Sequence, residues 1–227
     1  MLKIVLKIGG FAFANLRNTE PLIYDYVKLL KKLSNEHHIV VVTGGGEVAR
    51  SYIRAARAMG TPESLCDQLG ILVSRLNARL LMDGLGDQAF PEIPSTIAEL
   101  KHYFVSGKLV AMGGLQPGHS TNAVAALAAE TIKADLFLNV TNVDGVYTAD
   151  PSKDSTAKRL DEVNVKHLAE ILSKHEMTAG SYDLMDPIAL RIITRSKIPT
   201  IILDGRITSN VTKALQNEKT GTKIIFS

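Results

Sequence analysis

Residues 39–42 read Ile-Val-Val-Val, an unbroken β-branched run with no polar residue on alternate positions. A strand of that kind has no face it can show to water, so it belongs in a sheet covered on both sides. Short apolar runs recur at 4–8, 108–112, 136–140, 200–203 and 222–226. Stretches of helical composition lie between them, at 21–33, 47–59, 67–83, 95–105, 122–134, 165–173, 187–196 and 210–216. Such alternation is the pattern of parallel strands joined by crossover helices. It predicts an α/β protein with a doubly wound, mostly parallel sheet between layers of helices. No linker, internal repeat or low-complexity tract divides the chain.

The helices carry finer expectations. Pro21 and Pro187 suit first helical turns. In 47–59 the pattern turns Val48, Tyr52, Ile53 and Met59 inward and Arg50, Arg54 and Arg57 to another face. In 67–83, Leu69, Leu72, Leu76 and Leu80 form one stripe, which serves either the core or a subunit interface.

Composition excludes several classes. The net charge of +3 is spread along 227 residues that contain no Trp and 5% aromatics, which disfavours a nucleic-acid partner. Cys66 is the single cysteine, so no internal disulfide forms and a reducing, cytoplasmic compartment is expected. The apolar run after Met1 is short and interrupted by lysine, so neither a secretion signal nor a membrane span is expected.

Three strands end in glycine: Gly9-Gly10, Gly44-Gly45-Gly46 and Gly113-Gly114. In a doubly wound sheet these turns share the carboxyl rim, where ligands sit. Their backbone N–H groups can surround a polyphosphate. The chain contains no G-x-x-x-x-G-K-S/T, and none of the three turns reads G-x-G-x-x-G, so neither common nucleotide fingerprint applies. The third turn continues as Leu115-Gln116-Pro117-Gly118-His119-Ser120-Thr121 into an alanine-rich helix that Ser120 or Thr121 can cap. A glycine-lined loop entering a helix N-terminus can hold a phosphate without a charged side chain. The central expectation is that it holds the acceptor of a phosphoryl transfer; the alternative is a plain turn.

Charged and polar groups near the rim have paired readings. Lys7 either points into an anionic site or snorkels at a strand end. Arg50, in the first turns after the glycine triplet, can reach the same phosphates, whereas Arg54 and Arg57 suit a solvated face. Asp144 can orient Lys7 or a metal-bound water, or simply make an Asp-Gly turn. Tyr147 and Asp150 can cover an adenosine and bond its hydroxyls. Asp67 reads equally as a helix-start carboxylate, and His119 as a loop residue acting through its backbone.

These residues carry a family resemblance. Lys7-Ile8-Gly9-Gly10, Thr43-Gly44-Gly45-Gly46 with Arg50, Asp67, Gly113-Gly114 with Pro117-Gly118-His119-Ser120-Thr121, and 141–151 (Thr-Asn-Val-Asp-Gly-Val-Tyr-Thr-Ala-Asp-Pro) resemble the amino acid kinase superfamily, and within it the uridylate kinases of archaeal type. The resemblance spans essentially the whole chain. It implies one αβα sandwich domain over 1–227, acceptor side N-terminal and ATP side C-terminal, assembled as a homohexamer. It implies an ATP site at Lys7, Gly9, Gly10, Phe11, Gly46, Arg50, Thr141, Asn142, Tyr147 and Asp150. UMP would lie against Gly45, Asp67, Leu115, Gln116, Pro117, Gly118, His119, Ser120 and Thr121. Lys7, Arg50 and Asp144 would serve the chemistry, with Mg²⁺ carried by ATP and no metal ligand from the protein. Phe11 departs from the small or basic residue common there.

The implied reaction is ATP + UMP giving ADP + UDP, a step of pyrimidine nucleotide synthesis. A phosphate acceptor is already an oxyanion, so no general base is needed, and alignment with charge neutralisation suffices. Two alternatives are a related kinase acting on isopentenyl phosphate, carbamate or an acylglutamate, and a non-catalytic nucleotide-binding protein.

Overall fold

The computed structural model describes residues 1–149, 151, 154–175 and 184–226. Its strands are β1 (Lys3–Ile8), β2 (His38–Thr43), β3 (Val110–Met112), β4 (Leu136–Thr141), β5 (Val146–Tyr147), β6 (Arg159–Leu160), β7 (Glu162–Asn164), β8 (Thr200–Asp204) and β9 (Thr222–Ile225). Its helices are α1 (Leu16–Ser34), α2 (Gly46–Ala58), α3 (Glu63–Leu85), α4 (Ile97–Phe104), α5 (Thr121–Ile132), α6 (Val165–His175), α7 (Pro187–Ser196) and α8 (Ser209–Leu215).

Among the described residues, seven strands form one sheet in the order β3-β2-β1-β4-β8-β9-β7. Every neighbouring pair is parallel except β8 with β9. Strand order runs outward from β1 to β2 and β3 on one side and to β4 and β8 on the other, so it reverses between β1 and β4. That switch point opens a crevice at the carboxyl rim. The register there sets Lys7 beside Asn139 and Ile8 beside Val140.

Helices cover both faces. On one, Val5, Val40, Val42, Val110, Met112 and Phe137 pack with α5, α6 and α7. On the other, Ile4, Leu6, Ile8, Val41, Leu138 and Val140 pack with α1, α3 and α8. Two-sided burial is why the strands read as unbroken apolar runs. The alanines of α5, from Ala123 to Ala129, are completely buried, and their small side chains let this helix lie close on the sheet.

Two sequence expectations change and a third is narrowed to one of its alternatives. Helix α1 starts at Leu16, with Asn15 as its N-cap, and contains Pro21. So early in the helix, proline forfeits one backbone bond without ending it. On α2 the buried residues are Ala49 and Ala56, whereas Val48, Tyr52 and Met59 are exposed, the last at 78%. Small residues bring α2 against α3, which turns its larger apolar residues outward. On α3 the core side is Ser74, Asn77, Ala78, Leu81, Met82 and Leu85. Leu72 and Leu76 are exposed at 61% and 67%, and Leu80 at 42%, so the leucine stripe does not serve this chain's own core.

Candidate active site

A cavity of about 1000 Å³ lies on the carboxyl rim over the switch point. All three glycine turns reach it, through Gly9 and Gly10, Gly44 to Gly46, and Gly114. The N-termini of α2, α5 and α7 reach it too, through Gly46, Ser120 with Thr121, and Asp186 with Pro187. Each such end carries part of a positive charge; the α2 end has no side-chain cap, while the Ser120 and Asp186 side chains take up first-turn N–H groups of α5 and α7. Three of them converging suit a polyanion.

Two of the glycine turns pack against each other. A Cβ on Gly10 would lie 2.1 Å from the backbone nitrogen of Gly46. Gly46 has φ +65°, and its own Cβ would lie 2.3 Å from the Gly10 carbonyl oxygen. Glycine is required here for backbone-to-backbone contact as well as for an open rim.

Lys7 is only 7% exposed and its side chain lines the cavity. By strand alternation it shares the α5 face with Val5, at the end of an otherwise apolar strand. Beside it on β4, buried Asn139 donates its amide to the Leu184 carbonyl at 2.6 Å. Asn122, on the first turn of α5, donates to the same carbonyl at 3.5 Å. The Oδ1 atoms of both have no hydrogen-bond partner among the described residues.

The loop from Gly113 to Thr121 is held by α3. Ser74 Oγ accepts from the backbone N–H of Gly114 at 2.8 Å. Arg75 donates to the carbonyls of Gly114 and Leu115 at 2.9 and 3.3 Å. Asp67 accepts from the N–H of Gly118 at 2.8 Å. The same helix secures the second glycine turn, where Asn77 donates to the Gly44 carbonyl at 2.8 Å and Thr43 to the Ser74 carbonyl at 2.7 Å. Polar residues on the core side of a long helix are the sequence signal for this role. Ser74, Arg75 and Asn77 were missed because their partners lie 31–40 positions away.

Of the expected acceptor residues, Gly45, Asp67, His119, Ser120 and Thr121 line the cavity. Leu115, Gln116, Pro117 and Gly118 form the outer arm of the loop, and Gln116 bonds the His119 ring at 3.3 Å. Ser120 caps α5, accepting from the N–H groups of Asn122 and Ala123.

Of the residues expected at ATP, Lys7, Gly9, Gly10, Phe11, Gly46, Arg50, Thr141 and Asn142 line the same cavity. The Phe11 ring lies against Gly9 and Gly205, where a Cβ would approach it to 2.9 and 2.8 Å, so it packs the wall. Arg50 is tied to Glu47 at 3.0 Å on the exposed side of α2. Arg54, then Arg50, hold the Glu47 carboxyl below its usual range. Asp144 lies in the loop between β4 and β5. It accepts from the Tyr147 hydroxyl at 2.9 Å and faces Arg159 at 3.4 Å. Burial, followed by this Asp144 contact, raises the Tyr147 pKa. Neither Asp144 nor Tyr147 lines the cavity, and Asp150 falls outside the described residues. Among the described residues, no three His, Cys, Asp or Glu side chains come together as metal ligands.

A doubly wound sheet with a buried lysine, a glycine rim and three helix N-termini at its switch point defines an α/β protein that handles phosphate groups. The model of the amino acid kinase family matches residues 3–204, and the chain belongs to that family. It is 41% identical over 224 residues to the uridylate kinase of Methanobrevibacter smithii, covering 99% of each chain. It is 46% identical over 216 residues to that of Methanococcoides burtonii, covering 95% of this chain and 92% of the relative. Among solved structures, the uridylate kinase of Archaeoglobus fulgidus superposes with a TM-score of 0.87 at 39% identity, covering 99% of this chain and 100% of that one.

Proposed function

We propose that this chain is a uridylate kinase that transfers the γ-phosphoryl group of ATP to UMP. The observation that carries the reading is the meeting of two half-sites in one cavity: the glycine rim with Lys7 and Gly46, and the α3-clamped loop ending in Ser120 and Thr121. Full-length likeness to archaeal uridylate kinases supports UMP as the acceptor.

In this reading one domain has its acceptor side in the N-terminal half and its ATP side in the C-terminal half. ATP phosphates lie over Gly9, Gly10 and Gly46, with Thr141, Asn142, Tyr147 and Asp150 toward the adenosine. UMP lies against Gly45, Asp67 and loop 115–121. The UMP phosphate supplies the attacking oxyanion, so the protein aligns two polyanions and neutralises their charge. Lys7 faces the transferred group from a buried position, where a cation acts with little water screening. Arg50 leaves Glu47 to meet phosphate, and Asp144 orders the Tyr147 loop. Mg²⁺, held by ATP oxygens and water, supplies charge neutralisation at the transferred phosphoryl group.

The exposed stripe of Leu72, Leu76 and Leu80, with Tyr52 and Met59 on α2, supports assembly into a homohexamer through the α2–α3 face. No helix among the described residues is long and apolar enough to cross a membrane, and the proposed location is the cytoplasm. The test is ADP release from Mg-ATP with UMP, CMP, dUMP, isopentenyl phosphate, carbamate and N-acetylglutamate offered in parallel. A rate largely confined to UMP is expected. Turnover of another acceptor in its place would reassign the loop.

A further inference from the structure

Within the acceptor loop, the Ser120 hydroxyl is fully committed to the protein. A hydroxyl has one proton to donate and two lone pairs to accept with. Ser120 accepts from the N–H groups of Asn122 and Ala123 at 3.0 and 3.1 Å, and donates its proton to Asp186 Oδ2. Nothing remains for a substrate. Asp186 is itself an N-cap: its Oδ1 accepts from the N–H groups of Ile188 and Ala189 at 2.9 and 3.0 Å. One carboxylate thus caps α7 with one oxygen and holds the cap of α5 with the other, across 66 positions of sequence.

We infer that Asp186 is a positioning residue for the acceptor, acting through Ser120, a role that rests on the acceptor-loop reading proposed above. Ser120 sits between His119 and Thr121, which line the cavity with it. Fixing the Ser120 rotamer fixes the direction of the first α5 N–H groups and of the two flanking residues. Capping α7 needs only one oxygen of Asp186. The second oxygen joins the acceptor loop to α7, which packs beside α5 on the same face of the sheet.

Cap and bridge separate in Asp186→Ser. Serine is an N-cap comparable to aspartate, but its short side chain cannot also reach Ser120. The expected result is a near-native melting temperature, a KM for UMP raised about tenfold, the order of one charge-assisted hydrogen bond, and a KM for ATP within about twofold of wild type. Asp186→Asn keeps the length and the capping oxygen but sets an NH2 donor where the Ser120 proton needs an acceptor, so it should raise the KM for UMP as Asp186→Ser does; it carries the same test if Asp186→Ser does not fold. Ser120→Ala removes the bridge from its other end, so Ser120→Ala combined with Asp186→Ser should be no worse for UMP than the poorer single variant. An unchanged KM for UMP in the folded Asp186 variants, or fully additive effects, would reduce Asp186 to a helix cap and overturn the inference. Failure of the underlying reading is distinguishable, because the wild type itself would then be silent toward UMP.

Discussion

Asp67 on α3 accepts a hydrogen bond from the backbone N–H of Gly118 at 2.8 Å, bridging 51 positions of sequence. The carboxylate therefore anchors the tip of the loop 113–121 and also lines the cavity. Asp67→Ala should raise the KM for UMP about 10- to 100-fold, the range for losing a hydrogen bond to a charged group. The KM for ATP should stay within about twofold. Steady-state kinetics varying each substrate decides this, and an effect confined to ATP would contradict it.

The mutual packing of Gly10 and Gly46 predicts a contrast between two glycines of positive φ. Gly60 has φ +79° with open space around it, whereas a Cβ on Gly46 meets the Gly10 carbonyl oxygen at 2.3 Å. Gly60→Ala should cost about 1 kcal/mol, from backbone strain alone. Gly46→Ala should cost more than about 3 kcal/mol, because backbone must move as well. Urea unfolding measures both, and equal costs would contradict the packing account.

Asp204 and Arg206 give a pH prediction. Burial alone would raise the Asp204 carboxyl, but the Arg206 side chain and backbone N–H outweigh burial and hold it below its ordinary value. A carboxyl depressed in the folded state contributes stability that is complete above its unfolded value near 4, and that is lost as the pH falls through the lower folded value. Arg206→Leu should lower the melting temperature by about 2–4 °C at pH 7, for about 1 kcal/mol. The gap to wild type should close as the pH falls through that lower folded value. A gap that widens on acidification would reverse the assignment.

Leu72, Leu76 and Leu80 stand on the face of α3 turned away from the core. Leu76→Asp should leave the chain folded, since the side chain is 67% exposed in one copy. Sedimentation velocity should find wild type at a multiple of 24.6 kDa and the variant at a smaller one. Identical sedimentation would remove this stripe from any interface.

Much of this architecture is legible in the sequence because burial on both faces leaves a local signature: apolar runs four or five residues long. Strands β5, β6 and β7 carry no such signature, being two or three residues each. Which face of α2 turns inward was misjudged for a physical reason. Close contact between helices selects Ala49, Ala56 and Gly70 over larger apolar residues, so size misled where fit decided. The rim was legible because glycine pairs directly after strands have a backbone reason to exist. The clamps on it were not. Asp186-Pro187 announces a helix start, but nothing local announces that its second oxygen reaches Ser120.

The central claim is phosphoryl transfer to UMP, and product identity tests it most directly. Protein incubated with Mg-ATP labelled in its γ-phosphate and with UMP should yield UDP labelled in its β-phosphate. Lys7→Met should lower that rate by about 10²-fold or more, the scale of one placed charge at a transferred phosphoryl group, with the folded signal by circular dichroism unchanged. Label recovered only as inorganic phosphate, or UDP formation undiminished without the lysine, would contradict the account.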